Sequence, residues 1–286
     1  MPTASAGEEG GRGVKNMKGL KGLDDVAISR IIVEEYTKEF LAHLDCDAAV
    51  VGAGPSGLVA AQYLARGGMK VAVYERRLSV GGGMWGGGMM CGRCVFQEAS
   101  LPILREAGVR VKDRGDGYYT TDSIETVACL CATAVKAGAR IFNLLSAEDV
   151  MIRGARVTGV VLQWTAVEAA RLHVDPLTAG ARFVVDATGH AAEIANIIVR
   201  KIGKKLLTET GDLLGEKPMW AERGERTIVA HTKEIYPGVQ VAGMAANAVF
   251  GGPRMGPIFG GMLLSGKLAA ERILSASGRK QLPRPR

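Results

Sequence analysis

The sequence predicts an α/β fold with a doubly wound, largely parallel sheet, and this prediction rests on two observations. Strand-like and helix-like segments alternate along most of the 286 residues, and the first strand runs into a glycine-rich turn with the spacing G-x-G-x-x-G at 52–57. This combination is typical of a parallel sheet with helices on both faces. We therefore expect one α/β domain over residues 23–275, between a disordered tail at 1–22 and a basic tail at 276–286.

The glycine-rich turn follows a short apolar strand at 46–51. Gly52 permits the tight turn, Gly54 lets the backbone approach a pyrophosphate, and Gly57 lets the next helix pack close to the strand. That helix starts at Ser56, and its free N–H groups would face the phosphates. The turn therefore predicts an adenine-dinucleotide site, and the alternative is a glycine turn that binds nothing.

Glu75 follows the second strand, at 69–74, and lies 18 residues after Gly57. A carboxylate at that place hydrogen-bonds the ribose diol of a bound dinucleotide. It favours a free 2′-hydroxyl, and hence FAD or NAD over NADP. Arg76 leaves the question open, because a basic neighbour is able to meet a 2′-phosphate.

The composition is that of an ordinary globular protein, with 47% apolar and 23% charged residues. The formal net charge of +7 comes from the two ends, since residues 1–22 contribute +2 and residues 267–286 contribute +5. Solvated tails are the preferred interpretation, and neither a nucleic acid nor a membrane is an expected partner. Five cysteines and no signal peptide predict a cytoplasmic protein, and Cys91-x-x-Cys94 lacks the second pair of a structural zinc site.

The remaining segments continue the alternation. Residues 81–94, with six glycines around Met84-Trp85, are expected to form neither helix nor strand, and a ligand-facing loop is preferred there to a linker. Asp122 and Glu125 have the spacing of a helix-capping pair. The other predicted segments are helices at 24–44, 97–106, 122–137, 192–202 and 257–274, strands at 109–111, 139–143, 182–187 and 239–242, a small β-meander at 147–153 and 156–163, and a polar loop at 203–227.

Three polar residues in the second half are candidates for chemistry. Asp175 and His190 lie 15 residues apart, and a carboxylate with an imidazole suits a divalent metal such as iron, manganese or zinc. Two ligands are too few alone, and capping or hydrogen-bonding roles on loops are the simpler interpretation. Arg254 follows the last strand, where a doubly wound sheet binds ligands. It is placed to bind a substrate carboxylate, or else it is an exposed arginine on a turn.

Nine short motifs stand out along the chain: GAGPSG at 52–57, ERR at 75–77, GGGMWGGGM at 81–89, DGYY at 116–119, HVDPLT at 173–178, DATGH at 186–190, MWAE at 219–222, GMAAN at 243–247 and RMGPIFGGM at 254–262. Together they resemble the thiamine thiazole synthase family in its archaeal, sulfide-dependent form, for which some members carried the older label ribose 1,5-bisphosphate isomerase. The resemblance covers about residues 24–275. It implies a glutathione-reductase-like, FAD/NAD(P)-binding fold with a small β-meander insertion.

The resemblance implies an enzyme that consumes NAD as a substrate. It would cleave the nicotinamide–ribose bond and combine the opened ADP-ribose with glycine and sulfur to give an adenylated thiazole carboxylate, a thiamine precursor. Arg254 would hold the glycine carboxylate, and Asp175 and His190 would bind Fe(II) shared between adjacent subunits of a homo-oligomer, often an octamer. The residues implied in NAD binding are Ser56, Glu75, Arg76, Gly83, Ala147, His173, Val174, Asp175 and Met244.

His173 departs from the pattern of eukaryotic members, which carry there a cysteine that gives up its own sulfur. The resemblance therefore implies sulfur taken from free sulfide, repeated turnover, and a catalytic place for His173. Three alternatives stay open: an FAD-dependent oxidoreductase of the same fold, a non-catalytic NAD-binding protein, and a sugar-phosphate isomerase. Met244 counts against the first, because many flavoenzymes place an acid at that position. The third leaves Arg254 and the dinucleotide fingerprint unexplained.

Overall fold

The computed structural model describes residues 22–279, which form two compact units, one ending at Leu41 and the other beginning at Ala42. The predicted tails lie outside the described residues, apart from Gly22 and 276–279. The first described helix, α1 (Asp25–His43), belongs mostly to the first unit. None of the described helices is both long and apolar enough to cross a membrane.

The second unit contains two sheets. Their strands are β1 (Asp45–Val51), β2 (Val71–Glu75), β3 (Arg93–Gln97), β4 (Lys112–Asp113), β5 (Tyr118–Asp122), β6 (Arg140–Asn143), β7 (Leu145–Arg153), β8 (Arg156–Trp164), β9 (Leu177–Asp186), β10 (Glu234–Tyr236) and β11 (Val239–Val241). The main sheet has the order β10-β11-β9-β1-β2-β6, and β1 pairs in parallel with both β2 and β9. Helices connect these parallel strands, which confirms the predicted α/β class. The strands β3, β5 and β4 form a small antiparallel sheet.

Strand β9 joins the predicted β-meander to the main sheet. Its first half pairs antiparallel with β8, which pairs with β7, and its second half lies parallel to β1 and β11. The strand predicted at 182–187 is therefore only the second half of a longer one. The meander extends the main sheet and is not a separate layer.

The helices of the second unit pack on this sheet or on other helices. They are α2 (Pro55–Arg66), α3 (Leu101–Glu106), α4 (Ser123–Lys136), α5 (Thr165–Ala169), α6 (Glu193–Ile202), α7 (Ala221–His231), α8 (Met244–Phe250) and α9 (Gly260–Ala276). Asp122 caps α4 as predicted, because its Oδ1 accepts a hydrogen bond from the backbone N–H of Glu125 at 3.1 Å. Helix α2 packs against α9 so closely that a Cβ on Gly266 would lie 2.2 Å from the backbone oxygen of Ser56.

The prediction for the glycine-rich segment 81–94 is wrong in its local structure. The segment contains two short 3₁₀ helices, Gly82–Gly86 and Gly88–Met90, and the start of β3. Turns this short need only one or two hydrogen bonds, such as the one from the Gly87 N–H to the Met84 oxygen at 2.9 Å. The low helix propensity of glycine therefore has little effect over so few residues.

Two further local predictions are wrong. The strand predicted at 109–111 lies later, as β4, where Lys112 and Asp113 pair with β5. The segment 203–227, predicted as a loop, contains most of helix α7. Only Gly224 and Ile228 of this helix are buried, so its sequence lacks the apolar stripe by which a helix is recognised.

Candidate functional site

A cleft of about 520 Å³ lies at the carboxyl ends of β1, β2 and β9. Strand β1 stands between two parallel neighbours there, which is where an open α/β sheet binds its ligand. The cleft brings together eight of the predicted site residues, namely Ser56, Glu75, Arg76, Gly83, Ala147, His190, Met244 and Arg254. The sequence fingerprint and two of the residues predicted for chemistry, His190 and Arg254, therefore face one space.

The three glycines of the turn differ in what surrounds them. A Cβ on Gly52, whose φ is +97°, would lie 2.5 Å from the Ala187 oxygen, and a Cβ on Gly57 would lie 1.9 Å from the Gly52 oxygen. Among residues 22–279, no atom lies within 4 Å of the corresponding point on Gly54. The first and third glycines are thus required by the fold, and the second leaves its space to a ligand.

Helix α2 presents its N-terminus to this cleft. Gly54 is its N-cap and offers no side-chain acceptor, and Pro55 occupies the first turn. The remaining N–H groups of the first turn have no partner within the helix, and with the helix dipole they favour an anion. Ser56 lines the cleft and is 4% exposed, because a close backbone contact with Gly266 holds it against α9.

Glu75 is fixed at the end of β2. Its Oε2 accepts a hydrogen bond from the Ala53 N–H at 2.8 Å, and its Oε1 accepts one from the Arg77 N–H at 2.9 Å. The side chain is 6% exposed. Each carboxylate oxygen keeps a lone pair beyond these two bonds, so Glu75 remains able to accept from a ribose hydroxyl.

Arg76 forms an ion pair with Glu193, at the start of α6, and both residues line the cleft. Burial raises the pKa of the Glu193 carboxyl, while the charge of Arg76 opposes that shift. The guanidinium therefore already has an anionic partner. A 2′-phosphate bound beside Arg76 would also meet the carboxylate of Glu193, which favours a free 2′-hydroxyl.

His190 lines the cleft from a 3₁₀ turn that follows β9. Buried Asp186 fixes this turn, since its Oδ1 accepts from the N–H of Thr188 at 3.1 Å and its Oδ2 accepts from the N–H of Ala195 at 3.0 Å. The imidazole Nδ1 lies 3.0 and 2.9 Å from the two carboxylate oxygens of Glu216. Nε2 is therefore the ring nitrogen left for a ligand.

Arg254 is exposed on the loop after α8, between buried Pro253 and Met255, and it lines two clefts. The second cleft has a volume of about 590 Å³ and shares Arg254, Gly256 and Phe259 with the first. Within the described part of the chain, no carboxylate forms an ion pair with this guanidinium. It is thus free to bind a ligand carboxylate in a bidentate pair.

His173, Val174 and Asp175 lie apart from this cleft in a single chain. They are exposed on the connection between α5 and β9, where the Gln163 amide donates to the Val174 oxygen at 2.8 Å. Nowhere in residues 22–279 do three or more His, Cys, Asp or Glu side chains form a group able to hold a metal. Asp175 thus does not join His190 in the cleft of a single chain, and their pairing stays a prediction.

Comparison with known proteins matches residues 29–259 to the model of the Thi4 family. The chain belongs to the Thi4 family. It is 55% identical over 252 residues to the thiamine thiazole synthase of Methanothermobacter thermautotrophicus, covering 88% of this chain and 98% of that protein. The crystal structure of Thermovibrio ammonificans THI4 is 47% identical and superposes with a TM-score of 0.87, covering 91% of this chain and all of that one. A geranylgeranyl bacteriochlorophyll reductase-like protein from Thermoplasma acidophilum, 17% identical with a TM-score of 0.52, shares the fold alone.

Two site residues of this Thi4 family member escape sequence reasoning. Glu193 and Glu216 line the clefts and pair with Arg76 and His190, from which they are 117 and 26 residues distant in sequence. Neither lies in a motif or at a helix-pair spacing. Only the fold brings each carboxylate to its partner.

We expect Glu193→Gln to raise the affinity for NADP relative to NAD about fivefold, since removing the ion-pair partner of the half-exposed Arg76 is worth about 1 kcal/mol. Calorimetric titration with both nucleotides measures the ratio. Asp149→Asn is the matched control, because Asp149 pairs with Lys201 of the same helix outside the cleft. An unchanged NADP to NAD ratio in Glu193→Gln would show that Glu193 plays no part in excluding a 2′-phosphate.

Proposed function

We propose that this chain is a thiamine thiazole synthase that makes the adenylated thiazole carboxylate precursor of thiamine from NAD, glycine and sulfide with Fe(II), over multiple turnovers. One observation above all supports it. A single cleft is lined by the dinucleotide turn together with His190 and Arg254. The chain aligns with thiamine thiazole synthases over almost their whole length.

The nucleotide end of the cleft fits NAD. The N-terminus of α2 accommodates the pyrophosphate and Glu75 the adenosine ribose, as described above. At the place where many flavoenzymes carry an acid, Met244 begins α8 and is 4% exposed. The flavin alternative therefore has no carboxylate at this point, and a colourless purified protein is expected.

The two residues proposed as metal ligands, His190 and Asp175, fit Fe(II). His190 offers Nε2, and Asp175 is an exposed carboxylate available to a neighbouring subunit. An imidazole and a carboxylate suit a divalent first-row metal, with open positions left for substrate. Fe(II) held there would supply a Lewis-acid centre that also binds soft sulfide.

The chain's own residues then bind and shield the organic reactants. Arg254 holds the glycine carboxylate, and the second cleft leaves it reachable when a dinucleotide fills the first. Three buried side chains, Met84, Met255 and Phe259, line the first cleft and exclude water from the opened sugar.

The cysteines support an external sulfur source. All five are free, and none lines either cleft. His173 occupies the position of the sacrificial cysteine and carries no sulfur. Sulfide as the donor leaves the polypeptide unchanged, so each chain is able to turn over repeatedly. A catalytic role for His173, two residues before Asp175, belongs to this proposal.

The proposal is tested by anaerobic incubation of the protein with NAD, glycine, sulfide and Fe(II), followed by mass spectrometry. We expect the adenylated thiazole carboxylate in molar excess over enzyme, no product when any one component is omitted, and an unchanged protein mass. Absence of product with NAD recovered intact would refute the enzyme assignment.

The shared metal site is tested with two inactive variants. Asp175→Ala and His190→Ala are each expected to lose turnover. Co-expressed in equal amounts, they are expected to recover activity at about a quarter of the sites, because a native His190 and a native Asp175 then meet in a symmetric oligomer. Two inactive variants that stay inactive when co-expressed would place both ligands in one subunit.

A further inference from the structure

The contact between His190 and Glu216 assigns the ring nitrogens. Both carboxylate oxygens of Glu216 face Nδ1, at 3.0 and 2.9 Å. A carboxylate only accepts hydrogen bonds, so Nδ1 carries the proton, and in the neutral ring the Nε2 lone pair is left for a ligand. The His190 side chain is 52% exposed and Glu216 only 21%, so the carboxylate is the better-anchored partner.

The backbone around Glu216 explains that anchoring. On one side, the Gly215 N–H donates to the Ala248 oxygen at 3.0 Å, and on the other the Lys217 N–H donates to the Gly252 oxygen at 2.9 Å. Glu216 is therefore held between two main-chain hydrogen bonds to the end of α8 and to the loop that follows it. An exposed imidazole on a short turn gains a fixed orientation from such a partner.

The same backbone ladder holds Arg254. Its N–H donates to the Lys217 oxygen at 3.0 Å, and its oxygen accepts from the Trp220 N–H at 3.0 Å. The buried amide of Asn247 reinforces the loop by donating to the Pro253 oxygen at 3.0 Å. Glu216 and Arg254 thus belong to two irregular segments that are joined by a bridge between Lys217 and Pro253, which restrains the distance between them.

We propose that Glu216 is a positioning residue that orients His190 for metal binding and sets its place relative to Arg254. The proposal rests on the proposed function, in which His190 binds Fe(II) and Arg254 binds glycine. The carboxylate holds the imidazole in the tautomer whose Nε2 accepts the metal. Losing such a partner commonly costs about 10- to 100-fold in metal affinity.

The test compares Glu216→Ala, Glu216→Gln and His190→Ala with the wild-type chain by anaerobic titration with Fe(II). Glu216→Ala is expected to weaken Fe(II) binding about 10- to 100-fold. The Fe(II) affinity of Glu216→Gln is expected to lie between those of the wild-type chain and Glu216→Ala, because an amide oxygen still accepts from Nδ1–H but carries no charge. Glu222→Gln is the matched control, an exposed glutamate on α7 that pairs with Arg226. NAD affinity and the KM for glycine stay within about twofold, because the main-chain ladder remains, while kcat falls.

A second readout needs no metal. The ¹⁵N shifts of the His190 ring are expected to report protonated Nδ1 in the metal-free wild-type chain and a shift toward protonated Nε2 in Glu216→Ala. Wild-type Fe(II) affinity and ring shifts in Glu216→Ala, with Fe(II) binding lost in His190→Ala, would overturn the proposal and leave the proposed function standing. Loss of Fe(II) binding in Glu216→Ala as complete as in His190→Ala would make Glu216 a ligand, which also overturns it. Undiminished Fe(II) binding by His190→Ala would refute the metal assignment and this proposal together.

Discussion

Gly57→Ala is expected to lower the free energy of unfolding by about 3 kcal/mol or more and to abolish nucleotide binding. The added Cβ would lie 1.9 Å from the oxygen and 3.1 Å from the carbonyl carbon of Gly52, and 3.3 Å from the Cβ of Ala187. Main-chain atoms of the tight turn have nowhere to move, since Gly52 itself lies against Ala187. Helix α2 would have to withdraw from β1, and the phosphate-facing N–H groups would withdraw with it.

Gly54→Ala is the matched control within the same turn. Gly54 has a φ of −71°, which alanine adopts without strain, and no atom of the described residues lies within 4 Å of its Cβ position. We expect wild-type stability in urea unfolding and weaker NAD binding by calorimetry, because the new methyl group points into the ligand's space. Equal stability of the Gly57 and Gly54 variants would contradict the close-packing argument.

Glu225→Gln is expected to remove a large part of the pH dependence of stability. The side chain lies against the start of α9, and burial raises the pKa of its carboxyl from 4.5 to about 7, against the opposing effect of the Gly261 and Gly260 N–H groups. Its Oε1 is buried without a hydrogen-bond partner among the described residues. Because the folded-state pKa is the higher one, the unfolded chain loses its proton first as pH rises.

The wild-type chain should therefore lose up to about 3 kcal/mol of stability through Glu225 between pH 4.5 and about 7, and stay at the lower level above that range. Urea unfolding at pH 5 and pH 8 measures the change. In Glu225→Gln the decrease is expected to be smaller by that amount, so that the variant matches or exceeds wild-type stability at pH 8. Glu222→Gln, an exposed position on the same helix, should behave as wild type. A Glu225→Gln variant with the wild-type pH profile would show that Glu225 ionises freely in the folded chain.

The sequence predicts best what is determined locally. The turn at 52–57, the capping of α4 by Asp122 and the strand that leads to Glu75 each depend on residues a few positions apart. Their conformations follow from glycine stereochemistry, side-chain capping and apolar strand patterning, and they are confirmed. Helix α7 is not predicted, because its buried residues are only Gly224 and Ile228, which do not make a recognisable apolar stripe.

The part of the site around His190 and Arg254 is not determined by the local sequence. Glu216 approaches His190 because two irregular segments pair through the Lys217 and Arg254 main chains, and no propensity or periodicity marks such a pairing. The ion pair of Arg76 with Glu193 likewise depends on the sheet. Arg76 follows β2 and Glu193 follows β9, and both strands lie parallel to β1. Asp175 is exposed on the connection before β9 and does not line the cleft of its own chain, so its proposed pairing with His190 depends on assembly and not on local sequence.

The close contact of α2 with α9 affects how the chain is made. Eleven of the twelve residues of α2 are buried in the finished fold, and the Gly266 side of α9 covers Ser56. During translation, α2 leaves the ribosome long before α9 is synthesised. The apolar surface of α2 therefore stays exposed to solvent until α9 is available to cover it. Stalled or truncated chains that end before α9 should therefore be prone to aggregate and bind chaperones, even though they carry the complete nucleotide fingerprint.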